Sequence, residues 1–437
     1  MKTRKPSRIK VNLITLGCSK NLVDSEVLLR QLDYAKFEVS HNSSSKRHDI
    51  VIINTCGFIN DARQESIETI LDVIKAKRQK QVTKVIVMGC LSARYYEDLK
   101  KEIPEVDAYF GVNKFHEIIE YLGREYKNEL IGERLLTTPS HYAYLKISEG
   151  CNRKCSFCVI PLIRGKHISR PVEEILKEAL LLAEKGVKEL ILIAQDLTYY
   201  GIDLYQKRKL AFLLEKLSEI EGIKWIRLQY AYPALFPMDV LKVMNERGNI
   251  CKYLDIPFQH INDRLLKSME RGISKDKTLK LIETIRKKVP YISLRTSMIV
   301  GYPGETEKEF QELLNFVRQV KFDRLGVFTY SHEENTKAFG LKDKLSSKIK
   351  QQRADKLMQV QQEISYERNV SLIGTKLNII IDRKEGDYYI GRTEFDSPEV
   401  DNEILITAAK HKLRVGNFYT AKVTDAEPFD LFGEIIC

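Results

Sequence analysis

Three apolar runs near the start of the chain each end in a small residue followed by a cysteine. Continuous apolar strands that alternate with amphipathic helices are typical of parallel sheets with helices on both faces. In such a sheet the carboxyl ends of the strands share one edge, so the three cysteines are predicted to lie close together. We therefore expect a doubly wound α/β domain over residues 8–125. The runs cover residues 11–16, 49–54 and 85–88, and the cysteines are Cys18, Cys56 and Cys90.

These cysteines have two interpretations. A free cysteine is often a small buried hydrophobe, which would make the repeated position incidental. The shared pattern of apolar run, small residue and cysteine favours a common role as three ligands of one metal cluster. A disulfide framework is excluded, because such scaffolds are small and secreted, whereas this chain has 437 residues. Cys251 and Cys437 do not share the pattern; we expect Cys251 to be a packed hydrophobe, and Cys437 is the last residue of the sequence.

The rest of the chain divides into two further predicted domains. Residues 137–367 carry six strand-like runs separated by helices, which is too few for a closed eight-fold barrel but suits a partial (β/α)6 barrel. Residues 368–437 carry four short strands with turn residues between them, which predicts a small all-β barrel. The six runs of the partial barrel cover residues 143–147, 190–194, 225–229, 253–258, 293–300 and 325–330.

A second group of cysteines has the spacing Cys151-x-x-x-Cys155-x-x-Cys158. Their loop follows the first strand of the predicted partial barrel, at the mouth where barrel enzymes keep their chemistry. Because an iron–sulfur cube usually takes four cysteines, three would leave one iron open to bind another molecule. Zinc usually takes four ligands, and His167 is the nearest candidate for the fourth. Unrelated or redox-active cysteines are the third interpretation.

This spacing, at this place in the predicted barrel, resembles that of the radical S-adenosylmethionine enzymes. The resemblance implies that the open iron binds the amino and carboxylate groups of S-adenosylmethionine. It also implies that one electron from the cluster cleaves the sulfonium and yields a 5′-deoxyadenosyl radical. Phe157, which lies between two of the ligands, is similar to the aromatic residue of that family's motif.

Further residues are predicted to contact this cofactor. The turn after the fifth strand of the partial barrel carries Gly301 and Gly304, and it is similar to the glycine-rich element that the family places beside the adenine. Gln195 and Asp196 end the second strand, and Arg295 lies on the fifth. We predict that these polar residues hold the cofactor, with a structural cap or a surface position as the alternative for each.

Two sets of three cysteines in one chain resemble the methylthiotransferase family, and the resemblance covers nearly all of the sequence. It implies an N-terminal domain with an auxiliary 4Fe–4S cluster on the first set, a radical core with another 4Fe–4S cluster on the second, and a C-terminal TRAM barrel. The implied reaction is hydrogen abstraction, attachment of sulfur at the auxiliary cluster, and methylation of that sulfur by a second S-adenosylmethionine. An unactivated C–H bond is too weakly acidic for a side-chain base, so the cofactor carries this step.

Several short strings resemble one branch of this family, the enzymes that modify the β-carbon of an aspartate of small-subunit ribosomal protein uS12. They are residues 16–26 and the strings that begin at Asn54, Phe322 and Tyr330. The resemblance implies uS12, free or within the ribosomal subunit, as partner, and flavodoxin or ferredoxin as electron donor. Ser19 departs from the pattern, since many relatives carry proline there, and this bears on the rigidity of the ligand loop. The branch that modifies adenosine in tRNA is the alternative, and it shares all six ligands.

The charge distribution also bears on the partner. The formal net charge of +11 fits an ordinary basic surface, and it equally fits an anionic partner such as RNA or a ribosome. Residues 368–437, however, carry 9 Lys/Arg against 12 Asp/Glu. An acidic barrel disfavours tRNA, whose binding depends on phosphate neutralisation, and favours a basic ribosomal protein. A non-enzymatic iron–sulfur or zinc protein that binds RNA or ribosomes is a third interpretation.

A local group of basic residues follows the second set of cysteines. It consists of Arg164, Lys166, His167 and Arg170. Contact with the carboxylate of the target is one interpretation, and an ordinary basic loop is the other.

The expected location is the cytoplasm. No apolar run approaches the roughly 20 residues that a membrane-spanning helix needs. The basic residues at the start of the chain are not followed by an apolar segment, so we expect no secretory signal and no membrane partner.

Overall fold

The computed structural model describes residues 8–45 and 47–436, which form two compact units. The start of the chain, on which the expectation of no secretory signal rests, and Cys437 lie outside the described residues. Among the described residues, every helix is too short or too polar to span a bilayer. Unit 1 contains the described residues as far as Thr137 together with Glu149–Asn152 and Val159–Lys166, and unit 2 contains Thr138–Ser148, Arg153–Cys158 and the chain from His167 onward.

Unit 1 is built on a five-stranded parallel sheet. Its elements are β1 (Lys10–Thr15), α1 (Ser19–Tyr34), β2 (Glu38–His41), β3 (His48–Thr55), α2 (Asn60–Arg78), β4 (Val82–Gly89), α3 (Cys90–Arg94), α4 (Tyr96–Glu102), β5 (Ala108–Tyr109), α5 (Phe115–Tyr121), a 3₁₀ turn (Asn128–Leu130) and α6 (Ile160–Arg164). The strand order is β2-β1-β3-β4-β5, and every neighbouring pair is parallel. This order reverses between β1 and β3, which is where open α/β sheets bind ligands.

Two apolar layers cover the sheet of unit 1, because successive residues of a strand face opposite sides. Ile50 and Ile52 of β3 pack in one cluster with residues of α1 and α5. Val51 and Ile53 of the same strand pack in another cluster with residues of α2 and α4. The helices therefore lie on both faces of the sheet, which confirms the predicted doubly wound domain.

Unit 2 contains a six-stranded parallel sheet. Its elements up to the last long helix are β6 (Tyr142–Lys146), β7 (Ser148–Glu149), β8 (Ile168–Ser169), α7 (Val172–Glu184), β9 (Glu189–Ile193), a 3₁₀ turn (Leu197–Tyr199), α8 (Ile202–Tyr205), α9 (Leu210–Ser218), β10 (Trp225–Leu228), α10 (Met238–Glu246), β11 (Ile250–Asp255), α11 (Asp263–Ser268), α12 (Lys275–Lys288), β12 (Ser293–Val300), α13 (Glu307–Val320), β13 (Arg324–Thr329), a 3₁₀ turn (Lys337–Gly340) and α14 (Ser347–Ser371). The order β13-β12-β11-β10-β9-β6 follows the chain, and every pair is parallel. All six predicted strands are present, so the partial barrel is confirmed.

A small closed barrel ends the described chain. Its elements are β14 (Lys376–Glu385), β15 (Tyr388–Thr393), β16 (Glu403–Thr407), a 3₁₀ turn (Ala408–Lys410), β17 (Phe418–Ala426) and β18 (Asp430–Ile435). The strands close in the order β14-β15-β16-β18-β17, with β17 antiparallel to β14. The all-β prediction is confirmed, although it contained four strands and the barrel has five. The boundaries of the three domains, at 8–125, 137–367 and 368–437, stay predictions.

A loop between β15 and β16, residues 394–402 and here named the connecting loop, joins this barrel to one face of the six-stranded sheet. Asp396 accepts a hydrogen bond from Nε of Arg324 at 2.9 Å. Asp401 accepts from the Tyr253 hydroxyl at 2.8 Å and from Nε of Arg295 at 3.2 Å. Both carboxylates are buried, so the barrel and the sheet share ion pairs that water does not reach.

Candidate metal centres and active site

Cys18, Cys56 and Cys90 lie at one edge of the sheet of unit 1. Cys18 follows β1 and immediately precedes α1, Cys56 follows β3, and Cys90 follows β4 as the first residue of α3. These three strands are neighbours. Burial, opposed by the charge of Arg164, raises the pKa of Cys90 to about 12, and the Cys18 and Cys56 thiols contribute to the rise. The Cys18 and Cys56 thiols can affect the pKa of Cys90 only if the three groups lie close together, as their positions after neighbouring strands predict.

Burial differs between these thiols. Cys18 is exposed, whereas Cys56 and Cys90 are buried. Burial also raises the pKa of Cys56. Because a metal binds the thiolate, a metal at this edge would have to displace the protons of both buried thiols.

Glycines allow the loops at this edge to approach one another. A Cβ on Gly17 would lie 2.7 Å from Cβ and 3.0 Å from Sγ of Cys56, and the φ of Gly17 is +89°. A Cβ on Gly57 would lie 2.7 Å from Cα of Leu91, next to Cys90. No side chain larger than hydrogen fits at either position, so the close spacing of the cysteine loops depends on both glycines.

The second set of cysteines follows β6 and β7. In unit 1, the backbone N–H of Cys151 donates to the carbonyl of Gly165 at 3.1 Å. In unit 2, the N–H of Cys158 donates to the carbonyl of Cys155 at 3.1 Å, which makes the Cys-x-x-Cys segment a tight turn. All three thiols are partly exposed.

Two polar side chains of unit 2 contact the Cys155 sulfur. Nη1 of Arg271 donates to Sγ at 3.2 Å, and the Tyr232 hydroxyl lies 3.6 Å from the same atom. Arg271 is buried, and its guanidinium stacks over the Tyr232 ring at 4.4 Å. The Cys155 sulfur therefore has a buried, positively charged hydrogen-bond donor beside it.

The residues between Cys155 and Cys158 anchor the loop. Ser156 donates through its backbone N–H to the carbonyl of Met269 and through Oγ to the carbonyl of Ser268, at 3.1 and 2.8 Å. Phe157 packs against an apolar cluster that includes Met269 and Tyr302. Both contacts hold the two cysteines in place against α11 and the turn that follows it.

The polar residues predicted to hold the cofactor already have protein partners. Asp196 accepts from Nε of Arg153 at 2.8 Å and from the N–H of Thr198 at 2.9 Å, so it connects the cysteine loop to the end of β9. Arg295 lies early in β12 and pairs with Asp255 and Asp401. Gln195 is half-buried directly after β9. Their contact with a cofactor stays a prediction.

Gly301 and Gly304 form a turn after β12 with φ of +74° and +81°. The N–H of Gly301 donates to Glu305 at 2.6 Å, and a Cβ on Gly301 would lie 2.4 Å from Cγ of Lys350. The turn is therefore packed against α14. Its proximity to an adenine also stays a prediction.

Two of the basic residues after the second cysteine set, Arg164 and Arg170, form ion pairs within the protein. Arg164 is buried and pairs with Asp24 and Glu149 within unit 1. Arg170 pairs with Glu178 in unit 2. Contact of Arg164 with a target carboxylate, one of the two interpretations above, would require it to leave these acids.

The donor sets suit iron–sulfur clusters. Among residues 8–45 and 47–436, no three His, Cys, Asp or Glu side chains already surround a single ion position. His167, the candidate fourth zinc ligand, shares a hydrogen bond with Ser169 at 3.0 Å. Each set offers three soft thiol ligands, the type that iron–sulfur clusters use.

Comparison with known families covers most of the chain. Residues 145–317 match the Radical SAM superfamily, residues 10–111 match the Uncharacterized protein family UPF0004, and residues 373–436 match the TRAM domain. A relative from Cytophaga hutchinsonii, ribosomal protein uS12 methylthiotransferase RimO, is 56% identical over 436 residues, which cover 100% of both chains. The chain belongs to the RimO family. A RimO from Christiangramia forsetii is 56% identical over 434 residues, 99% of this chain and 96% of the relative.

Membership of the RimO family makes this chain a radical S-adenosylmethionine methylthiotransferase of the ribosomal-protein branch. It confirms the predicted cofactors, two 4Fe–4S clusters and S-adenosylmethionine, and it removes the zinc and non-enzymatic interpretations. A solved structure, the radical S-adenosylmethionine methyltransferase TsrM from Kitasatospora setae, superposes with a TM-score of 0.55 at 14% identity, covering 74% of this chain and 75% of that one. At this identity the likeness supports the fold alone.

Several residues at these centres were not predicted from the sequence. Arg271 and Tyr232 contact Cys155 from positions 116 and 77 residues away. Asn21, which lies among the three cysteine loops of unit 1, appeared only as part of a string that resembles the RimO branch. No local pattern indicates such long-range contacts.

Proposed function

We propose that this chain attaches a methylthio group to the β-carbon of an aspartate of ribosomal protein uS12. The observation that carries the proposal is the convergence of Cys18, Cys56 and Cys90 at one sheet edge. Radical formation needs one cluster, whereas sulfur transfer needs a further site that holds sulfur, and this edge offers one. The substrate is that of the RimO relatives, which match the chain over its full length.

The proposal assigns one cluster to each set of cysteines. Cys18, Cys56 and Cys90 hold the auxiliary cluster, and the Cys151, Cys155 and Cys158 loop holds the other. When bound, the clusters and S-adenosylmethionine supply the radical, the sulfur and the methyl group. Three ligands on each cluster leave a coordination position open for the cofactor or for sulfur.

The protein's own residues hold and orient these groups. Arg271 donates a hydrogen bond to the Cys155 sulfur, and Asp196 holds Arg153 so that the cysteine loop stays against β9. We assign Phe157, Gln195, Gly301 and Gly304 to the cofactor site, because all four lie next to this loop in sequence or directly follow strands of the same sheet. We also assign Asp196 and Arg295 to the cofactor site. Asp196 pairs with Arg153 just beyond the end of β9, and Arg295 pairs with Asp255 between neighbouring strands, so both side chains are held in place.

The partner is a basic protein. The stretch 368–437 carries 9 Lys/Arg against 12 Asp/Glu, a balance that favours a basic ribosomal protein over a phosphate backbone. We propose uS12, free or within the ribosomal subunit, as substrate, and flavodoxin or ferredoxin as the source of electrons. The reaction takes place in the cytoplasm, where ribosomes are found.

The substrate assignment is tested by mass spectrometry in a strain from which the gene is deleted. We expect uS12 to lose the mass of one methylthio group and to regain it when the wild-type chain is supplied. Cys18→Ala and Cys155→Ala should each fail to restore it, whereas Cys251→Ala, which removes a buried cysteine outside both sets, should restore it. Loss of methylthio from tRNA, with uS12 unchanged, rejects the proposal.

The cluster assignment is tested by anaerobic reconstitution with iron and sulfide. Cys18→Ala and Cys155→Ala should each lose about one cluster's worth of iron, roughly four atoms per chain. Only Cys155→Ala should abolish release of 5′-deoxyadenosine from S-adenosylmethionine. If both variants lose cleavage of S-adenosylmethionine equally, the assignment of separate roles to the two sets of cysteines is contradicted.

A further inference from the structure

One buried side chain of unit 1 contacts the chain at or beside Cys18, Cys56 and Cys90. Nδ2 of Asn21 donates to the carbonyl of Leu16 at 2.8 Å and to the carbonyl of Thr55 at 3.1 Å. Its Oδ1 accepts from the Cys90 thiol at 3.8 Å. Leu16 precedes Cys18 by two residues and Thr55 immediately precedes Cys56, so a single amide sets the distances among three ligand loops. Asn21 has no exposed surface.

A buried guanidinium lies against the same amide. Nη2 of Arg164 donates to Oδ1 of Asn21 at 2.6 Å. Nη1 donates to Glu149 at 2.9 Å and to Asp24 at 3.2 Å, and the side chain is only 2% exposed. Two carboxylates thus hold the guanidinium in a fixed position and oppose its positive charge.

The local packing places this guanidinium near the thiols. Arg164 ends α6, and Val159 and Ile163 of the same segment pack against Cys90. Arg164 and the Cys90 thiol both donate to Oδ1 of Asn21, at 2.6 and 3.8 Å, so the two groups lie close together. Arginine stays protonated at any pH that a folded protein tolerates, so the positive charge is permanent.

A permanent buried charge beside three thiolates has a defined electrostatic effect. A cluster held by three thiolates becomes more negative when it takes up an electron. In a site shielded from water, a nearby cation stabilises the more negative state more strongly than it does at a surface. Removal of the cation should therefore lower the reduction potential, and removal of one of the carboxylates that offset it should raise the potential.

We propose that Asn21 and Arg164 are positioning residues of the three-cysteine site in unit 1. Asn21 sets the spacing of the ligand loops, and Arg164 sets the reduction potential of the cluster they hold. This inference rests on the proposed function in one respect, namely that Cys18, Cys56 and Cys90 bind an iron–sulfur cluster.

The charge role is tested in the full chain carrying Cys151→Ala, Cys155→Ala and Cys158→Ala, which confines iron to unit 1. The readout is the midpoint potential of the remaining cluster, measured by spectroscopic titration. Four further substitutions are compared in that background: Arg164→Gln, Arg164→Lys, Asp24→Asn and, as matched control, Arg134→Gln. Arg134 is equally buried in unit 1 and pairs with Glu26.

We expect Arg164→Gln to raise the ratio of oxidised to reduced cluster about tenfold at a fixed applied potential, which is about 59 mV for a one-electron couple. Arg164→Lys should keep most of the original ratio, because it keeps the charge. Asp24→Asn should change the ratio in the opposite direction, and Arg134→Gln should leave it unchanged. A ratio that is the same in Arg164→Gln and in the parent overturns the inference. If Arg164→Gln does not fold or load, an unchanged or lower potential in Asp24→Asn overturns it.

The spacing role is tested with Asn21→Asp, which keeps the size of the side chain and removes both N–H donors. We expect at least a twofold loss of iron per chain in the same background, and a changed electron paramagnetic resonance spectrum of the iron that remains. Asn249→Asp is the matched control, since Asn249 also donates to two backbone carbonyls, in unit 2. Equal iron and spectra in Asn21→Asp and the parent reject this role. Absence of iron from the parent itself, by contrast, rejects the proposed function.

Discussion

Nε of Arg227 donates to Oε1 of Glu189 at 2.7 Å, and neither side chain has any exposed surface. The other oxygen of Glu189 accepts from Nη2 of Arg392 at 2.8 Å. One buried carboxylate therefore serves two buried guanidinium groups, one on the six-stranded sheet and one on the terminal barrel. Removal of one member of such a network costs far more than the network adds to stability, because the remaining charges lose their compensation.

Glu189→Gln should destabilise unit 2 strongly. Glutamine keeps the size of the side chain but leaves Arg227 and Arg392 without this negative charge. We expect a loss of about 3–5 kcal/mol, the range found when one partner of a buried ion pair is removed. Denaturant titration followed by circular dichroism measures it. Glu434→Gln, which breaks an exposed pair with Lys410, should leave the midpoint unchanged, and equal midpoints for the two variants would contradict this expectation.

The Glu189 carboxylate should also make the stability of the protein depend on pH. Burial acts to raise the pKa of Glu189, but Arg392 and Arg227 outweigh it and hold the pKa below its ordinary value. A carboxylate with a lower pKa in the folded state stabilises the protein above its unfolded pKa, and this contribution is lost as the pH falls through the folded pKa. We expect the wild-type melting temperature to fall as the pH drops below about 4.5, the ordinary pKa of a glutamate, and that of Glu189→Gln to fall less. Parallel curves for the two proteins would show that other groups carry the acid dependence.

Gly17→Ala should impair the three-cysteine site of unit 1. The new Cβ meets Cβ of Cys56 at 2.7 Å, so a ligand loop has to move. Gly123→Ala is the matched control, because Gly123 also has a positive φ, of +70°, but nothing lies within 4 Å of its added Cβ. Both variants should lose about 1–2 kcal/mol to backbone strain. Only Gly17→Ala should also lose iron per chain, and equal iron contents would contradict the close approach.

Arg271→Met should weaken the second cysteine site. The substitution removes the hydrogen bond to the Cys155 sulfur, and a hydrogen bond to a charged group contributes about 1.5–3 kcal/mol. We expect slower release of 5′-deoxyadenosine and an unchanged iron content at Cys18, Cys56 and Cys90. Tyr232→Phe loses only the longer contact and should have a smaller effect. A larger effect of Tyr232→Phe would mean that the hydroxyl, and not the guanidinium, supports the site.

Alkylation of the apo protein should distinguish the cysteines by exposure. Cys18 is exposed and should react with iodoacetamide before Cys56 and Cys90. Burial raises the pKa of Cys251 to about 12, so it should react last, only when unit 2 unfolds. Peptide mass spectrometry at increasing reaction times gives the order. Early labelling of Cys251 would contradict its burial in the core.

The sequence predicted the strands that carry long apolar runs and missed those that do not. All six strands of the unit 2 sheet lie where apolar runs predict them, because a parallel strand is covered on both faces. β2 was missed, since it is a half-exposed edge strand that pairs only with β1. β18 was missed because its residues Asp430–Ile435 include two acids and a glycine. Its position is set by pairing with β16 and β17, which a local pattern does not contain.

The sequence predicted those parts of the candidate sites whose positions follow from the ends of strands. Cys18, Cys56 and Cys90 converge because parallel neighbouring strands end at one edge, a consequence of topology alone. Arg164 was expected in a basic loop that could meet the target, but the structure buries it between Asp24 and Glu149. Those partners lie 140 and 15 residues away. Only tertiary packing could reveal that this arginine belongs to the cysteine site of unit 1.

The connecting loop makes the sheet of unit 2 dependent on the terminal barrel. Its acids are counter-charges of Arg295 and Arg324, so a chain cut before β14 would leave Arg324 without its carboxylate partner and Arg295 with Asp255 alone. We therefore expect a relative without the barrel to carry an uncharged residue in place of Arg324, or an acid from another element beside it. Among relatives, we expect the arginines of the sheet and the terminal barrel to occur together or to be absent together.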